Sequence, residues 1–563
     1  MADGRDDVPY DWDQAISPQG AKWRSQLDSK RAEALRATAK MKAAALKRAK
    51  KLSVIDALIL MTSVVIIIAL VALFWMSWIF QAENQHLKAV DQGQIPPDAN
   101  FSAGQNRASD VLFRLGGAAK MGPDMMMDLV SAWMRQRGYT SVRAEKIDQL
   151  IEVKGYRNGE LGRVLIALAS SQGGFEALTQ QRVEAVMSVR PVLPGEADRL
   201  SALGNLTNAA SERVIGLSTN LVVVNRENPI NKIDLETLSR ILSGEITDWK
   251  QVTKNWQGPI VIKLEDMGPD FGASAAGRLL GDREPPENTA FFTDPVGVAD
   301  AVSRDTFAIG ITQHESLNAK TLALNERGAR SVGADDFSIS TETYPFTQRL
   351  YLYVGSSGAD PEARDFADFA ISPAGQELVS RMGFTPLRVR AVKVLAPTDA
   401  STDYRAFGRF AERMNFDVRF YEGANELDSR AEEDLKRFVE FVRRNQIDKR
   451  RIALLGFADN VGARATNIGL AQSRAETVSL ALQGLGVTPG LVRSYGDSLP
   501  VGSNGDERGR VRNRRVEVWL CAPPACPLIN LGTQAAPKGR EIPAGVRLGP
   551  PKPVAEGEPA PKG

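Results

Sequence analysis

The stretch Gly456-Phe-Ala-Asp459-Asn-Val-Gly462 decides the fold of the last third of this 563-residue chain. The residues before it, Ile452-Ala-Leu-Leu-Gly-Phe457, form an apolar run that predicts a buried strand, so Asp459 should lie in the loop at the strand's end. Asn467 is predicted to cap the next helix, with Arg474 two turns inside it. The loop and the early helix are therefore expected to face one small cleft.

Asp459 and Arg474 have the chemistry of a site for a zwitterion. An acid and an arginine on adjacent walls suit a ligand that presents an ammonium and a carboxylate side by side, because charge-assisted and forked hydrogen bonds are the strong ones. The alternative is a structural ion pair between Asp459 and Arg474 themselves. Both interpretations follow from these two residues.

Further residues favour the ligand cleft. Leu470 and Ser473-Arg474-Ala475 follow Asn467, and Asn513-Arg514-Arg515-Val516-Glu517-Val518 comes later. With these motifs, residues 405–520 resemble the peptidoglycan-binding domain of the OmpA family. The resemblance implies that Asp459 and Arg474 clasp the diaminopimelate of a peptidoglycan stem peptide, with Asn467, Leu470 and Arg515 in support. Ala458 stands where the family more often has Thr, which removes one side-chain hydrogen bond.

The composition is that of a globular protein with two or three domains. Hydrophobic residues make up 43% and charged residues 25% of the chain, and the net charge of +2 does not indicate a nucleic-acid-binding surface. The two histidines, His86 and His314, lie far apart, and the sequence contains no Ser/His/Asp or Cys/His set and no P-loop. We therefore expect no enzyme activity, no bound metal and no cofactor.

Both cysteines, Cys521 and Cys526, follow the last predicted strand of the OmpA-like region. If that region lies in the oxidising periplasm, a local disulfide is expected. The alternative is two free thiols.

Residues 53–80 are predicted to form a single transmembrane helix. The apolar part, residues 57–80, would extend roughly 36 Å as a helix, which is enough to cross a bilayer. Trp75 and Trp78 lie at its far end, where aromatic rings favour the lipid–water boundary. The basic arm, residues 1–52, is expected to stay in the cytoplasm, which places the bulk of the chain in the periplasm. No good cleavage site follows the apolar run, so we expect an uncleaved anchor.

Asp56 stands at the cytoplasmic mouth of this predicted span. Ionisable residues within membranes are often functional. The arrangement is similar to that of proton-driven stator subunits of the MotB/ExbD type, some of which also end in an OmpA-like domain. The resemblance implies that Asp56 carries protons and that the span has a multispan inner-membrane partner. The alternative is a solvated acid at a helix start, beside Lys50 and Lys51.

The middle of the chain alternates short apolar runs with amphipathic helices, which is the α/β pattern. The predicted strands include residues 111–115, 215–224, 260–264, 307–311 and 350–354, and the predicted helices include 123–137, 234–242 and 361–371.

Several segments of residues 108–392 resemble the phosphate-binding (PstS-like) class of periplasmic solute-binding proteins. They include Val222-Val-Val-Asn225, Asn228-Pro229, Leu238-Ser-Arg-Ile-Leu-Ser-Gly244-Glu-Ile-Thr-Asp-Trp249, Arg349-Leu-Tyr-Leu-Tyr353 and Phe369-Ala-Ile-Ser-Pro-Ala-Gly-Gln376. The resemblance implies two lobes and a hinge that the chain crosses more than once.

The same resemblance implies an oxyanion site made of backbone amides, hydroxyl groups and an arginine. The matching residues are Gly117, Ser170, Ser171, Ser188, Arg190 and Ser274. Two loops depart from the family, because Gly117-Ala-Ala119 replaces Ser and Thr, and because Asp266 and Asp270 would repel an anion. Phosphate, another small ligand, and a cleft that serves protein contacts alone stay open as alternatives.

The predicted fold class is α/β. It comprises a two-lobed periplasmic-binding-protein-like (type II) domain over residues 108–392 and an α+β OmpA-like domain over 404–521, behind one transmembrane helix. Residues 81–107 are predicted to be a periplasmic linker and 522–563 a disordered Pro-rich tail.

The predicted function is that of an inner-membrane-anchored periplasmic protein of a Gram-negative-type cell. It would bind peptidoglycan and carry a sensing or scaffolding module. The alternatives are a stator subunit of a proton-driven complex and an anchored phosphate-binding component of an ABC importer.

Overall fold

The computed structural model describes residues 36–44, 93–95, 101, 108–268, 270–421, 425–523 and 525–526. The chain divides into two compact units, Met1–Leu87 and Lys88–Gly563. In the first unit the described residues form a helix over 36–44. The predicted span, Asp56 and most of the predicted linker and tail lie outside the described residues. Among the helices that the structure describes, none has the length and apolar character needed to cross a membrane.

The strands of the second unit are numbered here in chain order. They are β1 Val111–Ala118, β2 Thr140–Ile147, β3 Leu150–Arg157, β4 Glu160–Ala169, β5 Ala185–Ser188, β6 Glu212–Thr219, β7 Leu221–Asn225, β8 Lys232–Asp234, β9 Val261–Glu265, β10 Ala290–Phe292, β11 Ala308–Thr312, β12 Ala319–Thr321, β13 Ala323–Asn325, β14 Thr347–Val354, β15 Ala391–Val392, β16 Ala411–Arg419, β17 Ile452–Gly456, β18 Leu491–Ser494 and β19 Arg515–Cys521.

The α-helices of the same unit are numbered likewise. They are α1 Pro123–Gln136, α2 Ser171–Thr179, α3 Pro194–Arg199, α4 Leu235–Leu242, α5 Ala275–Leu280, α6 Pro295–Arg304, α7 Asp336–Ser340, α8 Pro361–Ile371, α9 Pro373–Arg381, α10 Thr402–Phe410, α11 Ser429–Arg444, α12 Arg464–Gly484 and α13 Glu507–Asn513.

Three main sheets organise these elements. The first lobe is built on a seven-stranded sheet of order β2-β3-β4-β1-β5-β14-β6, and the second lobe on a five-stranded sheet of order β10-β9-β11-β7-β12. The C-terminal domain has a five-stranded sheet of order β15-β16-β19-β17-β18. The α/β fold class predicted from the sequence is therefore confirmed for the two lobes and the C-terminal domain.

The prediction of a single strand over residues 215–224 is wrong, because the chain passes from the first lobe to the second in the middle of this segment. Strand β6 belongs to the first-lobe sheet and β7 to the second-lobe sheet, with Asn220 between them. The amide of Asn220 donates to the carbonyl of Phe346, 3.1 Å away, just before β14 returns the chain to the first lobe. Both strands are apolar, so periodicity alone does not reveal the break.

Each part has its own apolar core. In the first lobe Trp133 packs edge-on against Phe113 and Phe366, with ring centroids 5.5 and 6.0 Å apart. Trp249 is fully buried in the second lobe, and Trp519 is fully buried in the C-terminal domain. Burial of aromatic rings of this size dominates core energetics. The core pattern thus separates the chain into three packed bodies.

The C-terminal domain begins earlier than its predicted first residue, 404. Ala391 and Val392 pair with Met414 and Arg413, so β15 adds an edge strand to the C-terminal sheet although it falls inside the predicted segment 108–392. A strand of two residues is too short to show a hydrophobic period in the sequence. It forms because β16 is there to pair with it.

A buried charge cluster, here the Glu342 cluster, joins the solute-binding-like lobes to the C-terminal domain. The Glu342 carboxylate lies 2.5 Å from Arg349 Nε in β14, 3.1 Å from Arg419 Nε in β16 and 2.9 Å from Arg430 Nη1 in α11. Arg349 also reaches Asp428, with 2.8 Å between Nη2 and Oδ2. The cluster holds the end of the hinge region against two elements of the C-terminal domain.

The C-terminal domain contacts both lobes as well as the hinge. The hydroxyl of Ser429 donates to Glu212 in the first lobe. On the other side, Arg512 Nη2 lies 2.6 Å from both carboxylate oxygens of Glu326 in the second lobe. One domain therefore holds both lobes in a fixed relation.

Replacing Glu342 with Ala should destabilise the protein strongly. The change leaves three buried guanidinium groups without their shared carboxylate, and breaking a buried pair in this way costs about 3–5 kcal/mol. The measurement is the free energy of unfolding of the full-length protein in urea. Glu377→Ala removes an exposed carboxylate paired with Arg388, and should change that value by less than about 1 kcal/mol. Equal effects of the two substitutions would contradict the role given to Glu342.

The pH dependence gives a second check of the same cluster. Burial alone would raise the pKa of Glu342, but the charges of Arg349, Arg430 and Arg419 outweigh it and hold that pKa well below its usual range. A carboxylate with a lowered folded-state pKa stabilises the protein at neutral pH, and this contribution disappears as the pH falls through the folded-state value. The stability difference between wild type and Glu342→Gln should therefore shrink in acid.

Candidate functional site

The loop after β17 positions Asp459 at the surface of the C-terminal domain. Strand β17 is buried along its whole length, and the chain turns outward at its end. The Oδ1 atom of Asp459 accepts from the amide of Val461 at 3.0 Å, and Oδ2 accepts from Arg514 Nη1 at 2.8 Å. The carboxylate is thus oriented by its own loop and by an arginine at the end of α13.

Arg474 projects from α12 and is buried without matching hydrogen bonds. Its exposed fraction is 7%, and its guanidinium carbon lies 5.7 Å from the centre of the Phe420 ring. Among the described residues, its Nε and Nη1 atoms have no hydrogen-bond partner. A buried guanidinium with unsatisfied donors is costly, since each unmade bond of a buried polar group costs about 1–3 kcal/mol. Such a group is suited to receiving an anion.

Asp459 and Arg474 are not paired with each other through a salt bridge; Asp459 instead pairs with Arg514. Burial lowers the pKa of Arg474, the nearby charge of Arg514 lowers it further, and Asp459 acts in the opposite direction. The three side chains therefore share one electrostatic environment. The structural ion pair that competed with the ligand cleft is not what the structure contains.

Asn467 and Leu470 lie on the same face of α12 as Arg474, because residues three and four apart are neighbours on a helix. Asn467 is fully buried, and its Nδ2 atom lies 3.3 Å from Asp497 Oδ2. Its Oδ1 atom is buried and has no partner within the described part of the chain. Leu470 is 39% exposed and gives the site an apolar edge.

The prediction that Asn467 caps this helix is wrong. The helix begins at Arg464, with Ala463 in the N-cap position, so Asn467 already lies inside it. The cap is missed because Ala463 supplies no side-chain hydrogen bond and so leaves no signal in the sequence.

Arg515 does not line this site, contrary to the prediction. Its side chain is 1% exposed, pairs with Glu517 through Nε and Nη2 at 3.0 and 2.9 Å, and stacks 4.0 Å from the centre of the Phe457 ring. The neighbouring Arg514 faces Asp459 instead. Arg514 is the C-cap residue of α13, whereas Arg515 is the first residue of β19, so the boundary between the two elements separates the two arginines.

The predicted oxyanion residues of the first lobe come together around the start of α2. Gly117 has φ of +134°, and a side chain there would meet the carbonyl of Met187 at 2.1 Å, so the backbone needs glycine. Ser170 caps α2 by accepting from the amide of Gly173 at 2.9 Å, and its hydroxyl donates to Gly93 at 2.8 Å. The hydroxyl of Ser171 accepts from the amide of Val189 at 3.2 Å.

The remaining predicted residues are also engaged within the chain. Ser188 hydrogen-bonds the backbone of Arg190, whose guanidinium pairs with Glu196 at 2.8 and 2.6 Å. Ser274 lies in the second lobe, where it caps α5 by accepting from the amide of Gly277 at 3.1 Å. The fold collects these side chains at one cleft, and each already has partners there.

Cys521 and Cys526 form a disulfide at the end of β19. Among the described residues, no group of three or more His, Cys, Asp or Glu side chains is arranged to hold a metal ion.

The chain therefore has two modules: two lobes joined by a double crossover, and an α+β domain in which the charge of Asp459 acts on the buried Arg474. Family models match both modules: a PBP superfamily domain over residues 163–374 and the OmpA family over residues 419–514. The chain therefore joins a PBP superfamily domain to an OmpA family domain, and both resemblances drawn from the sequence are confirmed.

Individual relatives match one module each. Protein SphX of Synechococcus elongatus is 24% identical over 244 residues, which covers 40% of this chain and 70% of SphX. Phosphate-binding protein PstS of Pseudomonas aeruginosa is 24% identical over 31% of this chain and 58% of PstS. Outer membrane porin F of Pseudomonas fluorescens is 34% identical over 19% of this chain and 32% of the porin. This chain thus spans only about a third of that porin.

Among solved structures, an ABC-type phosphate transport receptor from Vibrio cholerae is 18% identical with a TM-score of 0.38, covering 48% of this chain and 98% of the receptor. The peptidoglycan-associated lipoprotein from Burkholderia pseudomallei is 27% identical with a TM-score of 0.17, covering 18% of this chain and 88% of the lipoprotein.

Substitution of the two arginines should separate a ligand-binding role from a structural one. Arg474→Met removes a buried charge with unmade hydrogen bonds, so the free energy of unfolding should stay level or rise by about 1 kcal/mol. Arg515→Met removes an ion-pair partner of the buried Glu517 carboxylate, and should lower the free energy of unfolding by about 3 kcal/mol or more. Urea denaturation of the full-length variants measures both values. A large loss of stability for Arg474→Met would show that Arg474 supports the fold instead.

Proposed function

We propose that this protein is a membrane-anchored tether that binds peptidoglycan through the cleft of Asp459 and Arg474. The ligand is the zwitterionic end of a diaminopimelate in the stem peptide. The proposal rests on the buried guanidinium of Arg474. Its Nε and Nη1 atoms have no partner among the described residues, and the charge of Asp459 raises its pKa against the effect of burial. A ligand carboxylate at this guanidinium would supply the missing acceptors.

Each group of the cleft has a role in this binding. The guanidinium of Arg474 offers its unpartnered N–H groups to the carboxylate, and Asp459 accepts from the ammonium. Arg514, fixed by Glu507, orients Asp459 and adds positive charge beside the carboxylate. Leu470 packs against the aliphatic part of the ligand. The OmpA family match and the porin relative support this placement in the cell envelope.

We assign anchoring to the apolar segment of residues 57–80. Its length and hydrophobicity suit one span, and the basic residues before it favour a cytoplasmic N-terminus. The lobes and the OmpA domain then lie in the periplasm. The prediction that residues 81–107 are only a linker is wrong in part, because Ile95 and Phe101 are buried in the core of the first lobe. The stator hypothesis requires Asp56 and a multispan partner, and it stays a prediction because Asp56 lies outside the described residues.

We assign a scaffolding role to the PBP superfamily domain. The PstS relative is named a phosphate-binding protein, so a small anion is the class of ligand that we consider for this domain. In this chain, however, the hydroxyl and guanidinium groups predicted to bind an oxyanion are engaged internally. The C-terminal domain also holds both lobes through Glu212 and Glu326. These contacts favour a rigid spacer over a receptor that delivers phosphate to an importer.

Co-sedimentation with purified peptidoglycan sacculi tests the tether. Wild-type protein should pellet with sacculi, and Asp459→Ala and Arg474→Met should each weaken binding at least about tenfold, because a charge-assisted contact contributes about 1.5–3 kcal/mol. Asp448→Ala and Arg450→Ala are matched controls, since this exposed ion pair lies in the same domain with 2.6 Å between its charged groups. The controls should bind like wild type. Failure of the wild type to pellet would refute the proposal.

Extraction of cell membranes at alkaline pH tests the anchor. The full-length protein should stay in the membrane pellet, whereas a variant lacking residues 53–80 should be soluble, because a helix of that hydrophobicity inserts stably. Protease added to spheroplasts should digest the lobes and spare the basic arm. Release of the full-length protein by alkali would contradict the anchor, and digestion of the arm would contradict its orientation.

A further inference from the structure

The loop between β9 and α5 carries two acidic residues with different surroundings. Asp266 is exposed to solvent. Asp270 reaches from the second lobe to the first, where the amide of Ser171 donates to its carboxylate, with 3.2 Å to Oδ1 and 3.1 Å to Oδ2. One of the two acids is therefore bound at the start of α2.

The start of α2 is the natural place for an anion in this cleft. The first amides of a helix have no partner within the helix, and the helix dipole favours negative charge there. Helix α2 runs from Ser171 to Thr179, and its N-cap Ser170 already satisfies the amide of Gly173. The amide of Ser171 is satisfied by Asp270. An anion supplied by the chain itself thus occupies this position.

The surroundings of Asp270 fit an anion that is held in place. Burial raises the pKa of the Asp270 carboxyl, and the hydrogen bonds from Ser171 and the charges of Arg190 and Lys120 act against that rise. Lys120 of the first lobe also faces Glu265 of the second lobe, with 3.8 Å between their charged groups. The side-chain amide of Gln348 donates to Val189 and Ala273, at 2.6 and 3.3 Å, and so links the same two lobes.

We propose that Asp270 determines the specificity of the cleft by acting as its resident anion: it occupies the position of a free oxyanion at Ser171 and closes the lobes without solute. The Ser171 amide has one hydrogen, which the Asp270 carboxylate already accepts, so a phosphate ion and Asp270 compete for the same donor. Binding of phosphate therefore requires that Asp270 leave. This inference is independent of peptidoglycan binding, since it concerns the other module.

Titration calorimetry of the full-length protein with inorganic phosphate tests the proposal. Wild type should show no binding up to about 1 mM phosphate, and Asp270→Ala should gain affinity at least about tenfold, the equivalent of one charge-assisted hydrogen bond. Asp266→Ala removes the same charge from the same loop without touching Ser171, and should behave like wild type. Micromolar binding of phosphate by wild type, or no gain in Asp270→Ala, would overturn the proposal.

Hydrogen exchange at the Ser171 amide provides a readout without any ligand. Exchange should be slow in wild type and Asp266→Ala, and clearly faster in Asp270→Ala, because the amide loses its acceptor. Asp270→Asn keeps the size of the side chain and an acceptor oxygen, so it should show intermediate protection if the alanine variant folds poorly. Equal exchange in wild type, Asp270→Asn and Asp270→Ala would show that Asp270 does not occupy this position.

Discussion

The architecture depends on the Glu342 carboxylate and the three arginines around it. A buried carboxylate is tolerated only with such compensation, and here the compensating charges come from the hinge strand and from two elements of the OmpA domain. The cluster therefore links the position of the OmpA domain relative to the lobes to the stability of the fold. It also lies next to the proposed peptidoglycan site, because Arg419 belongs to the cluster while the adjacent Phe420 lies beneath the Arg474 guanidinium.

The two clefts of the molecule differ in how their polar groups are satisfied. In the solute-binding-like cleft, hydroxyl groups, the amide of Ser171 and the guanidinium of Arg190 all find partners within the chain. In the OmpA-domain cleft, Arg474 and Asn467 keep buried atoms without partners in the described region. Buried atoms without partners also occur in the described part of the lobes, for example Glu265 Oε1 and Arg278 Nε, so what distinguishes Arg474 is that the charge of Asp459 acts on it as well. This contrast is why we assign binding to the C-terminal module and a scaffolding role to the lobes.

Helices and strands are predicted well from the sequence where one hydrophobic period, helical or extended, dominates a segment. Helices at residues 123–137 and 361–371 and the buried strand before Asp459 are close to the observed bounds. Prediction fails where tertiary neighbours decide the outcome. The break at Asn220 depends on which sheet each apolar strand joins, and the engagement of Asp270 depends on a contact between lobes about one hundred residues apart in sequence. Arg515 was predicted in the place of Arg514 because a motif gives composition only, whereas the two arginines are separated by the boundary between α13 and β19.

The most direct test of the account is a crystal structure of the protein with meso-diaminopimelate. The account predicts one carboxylate of the ligand within hydrogen-bonding distance of the Arg474 guanidinium and the adjacent ammonium on Asp459, with Arg514 still holding that acid. It is contradicted if, at millimolar ligand, Arg474 turns to pair with Asp459 and no diaminopimelate is bound between them.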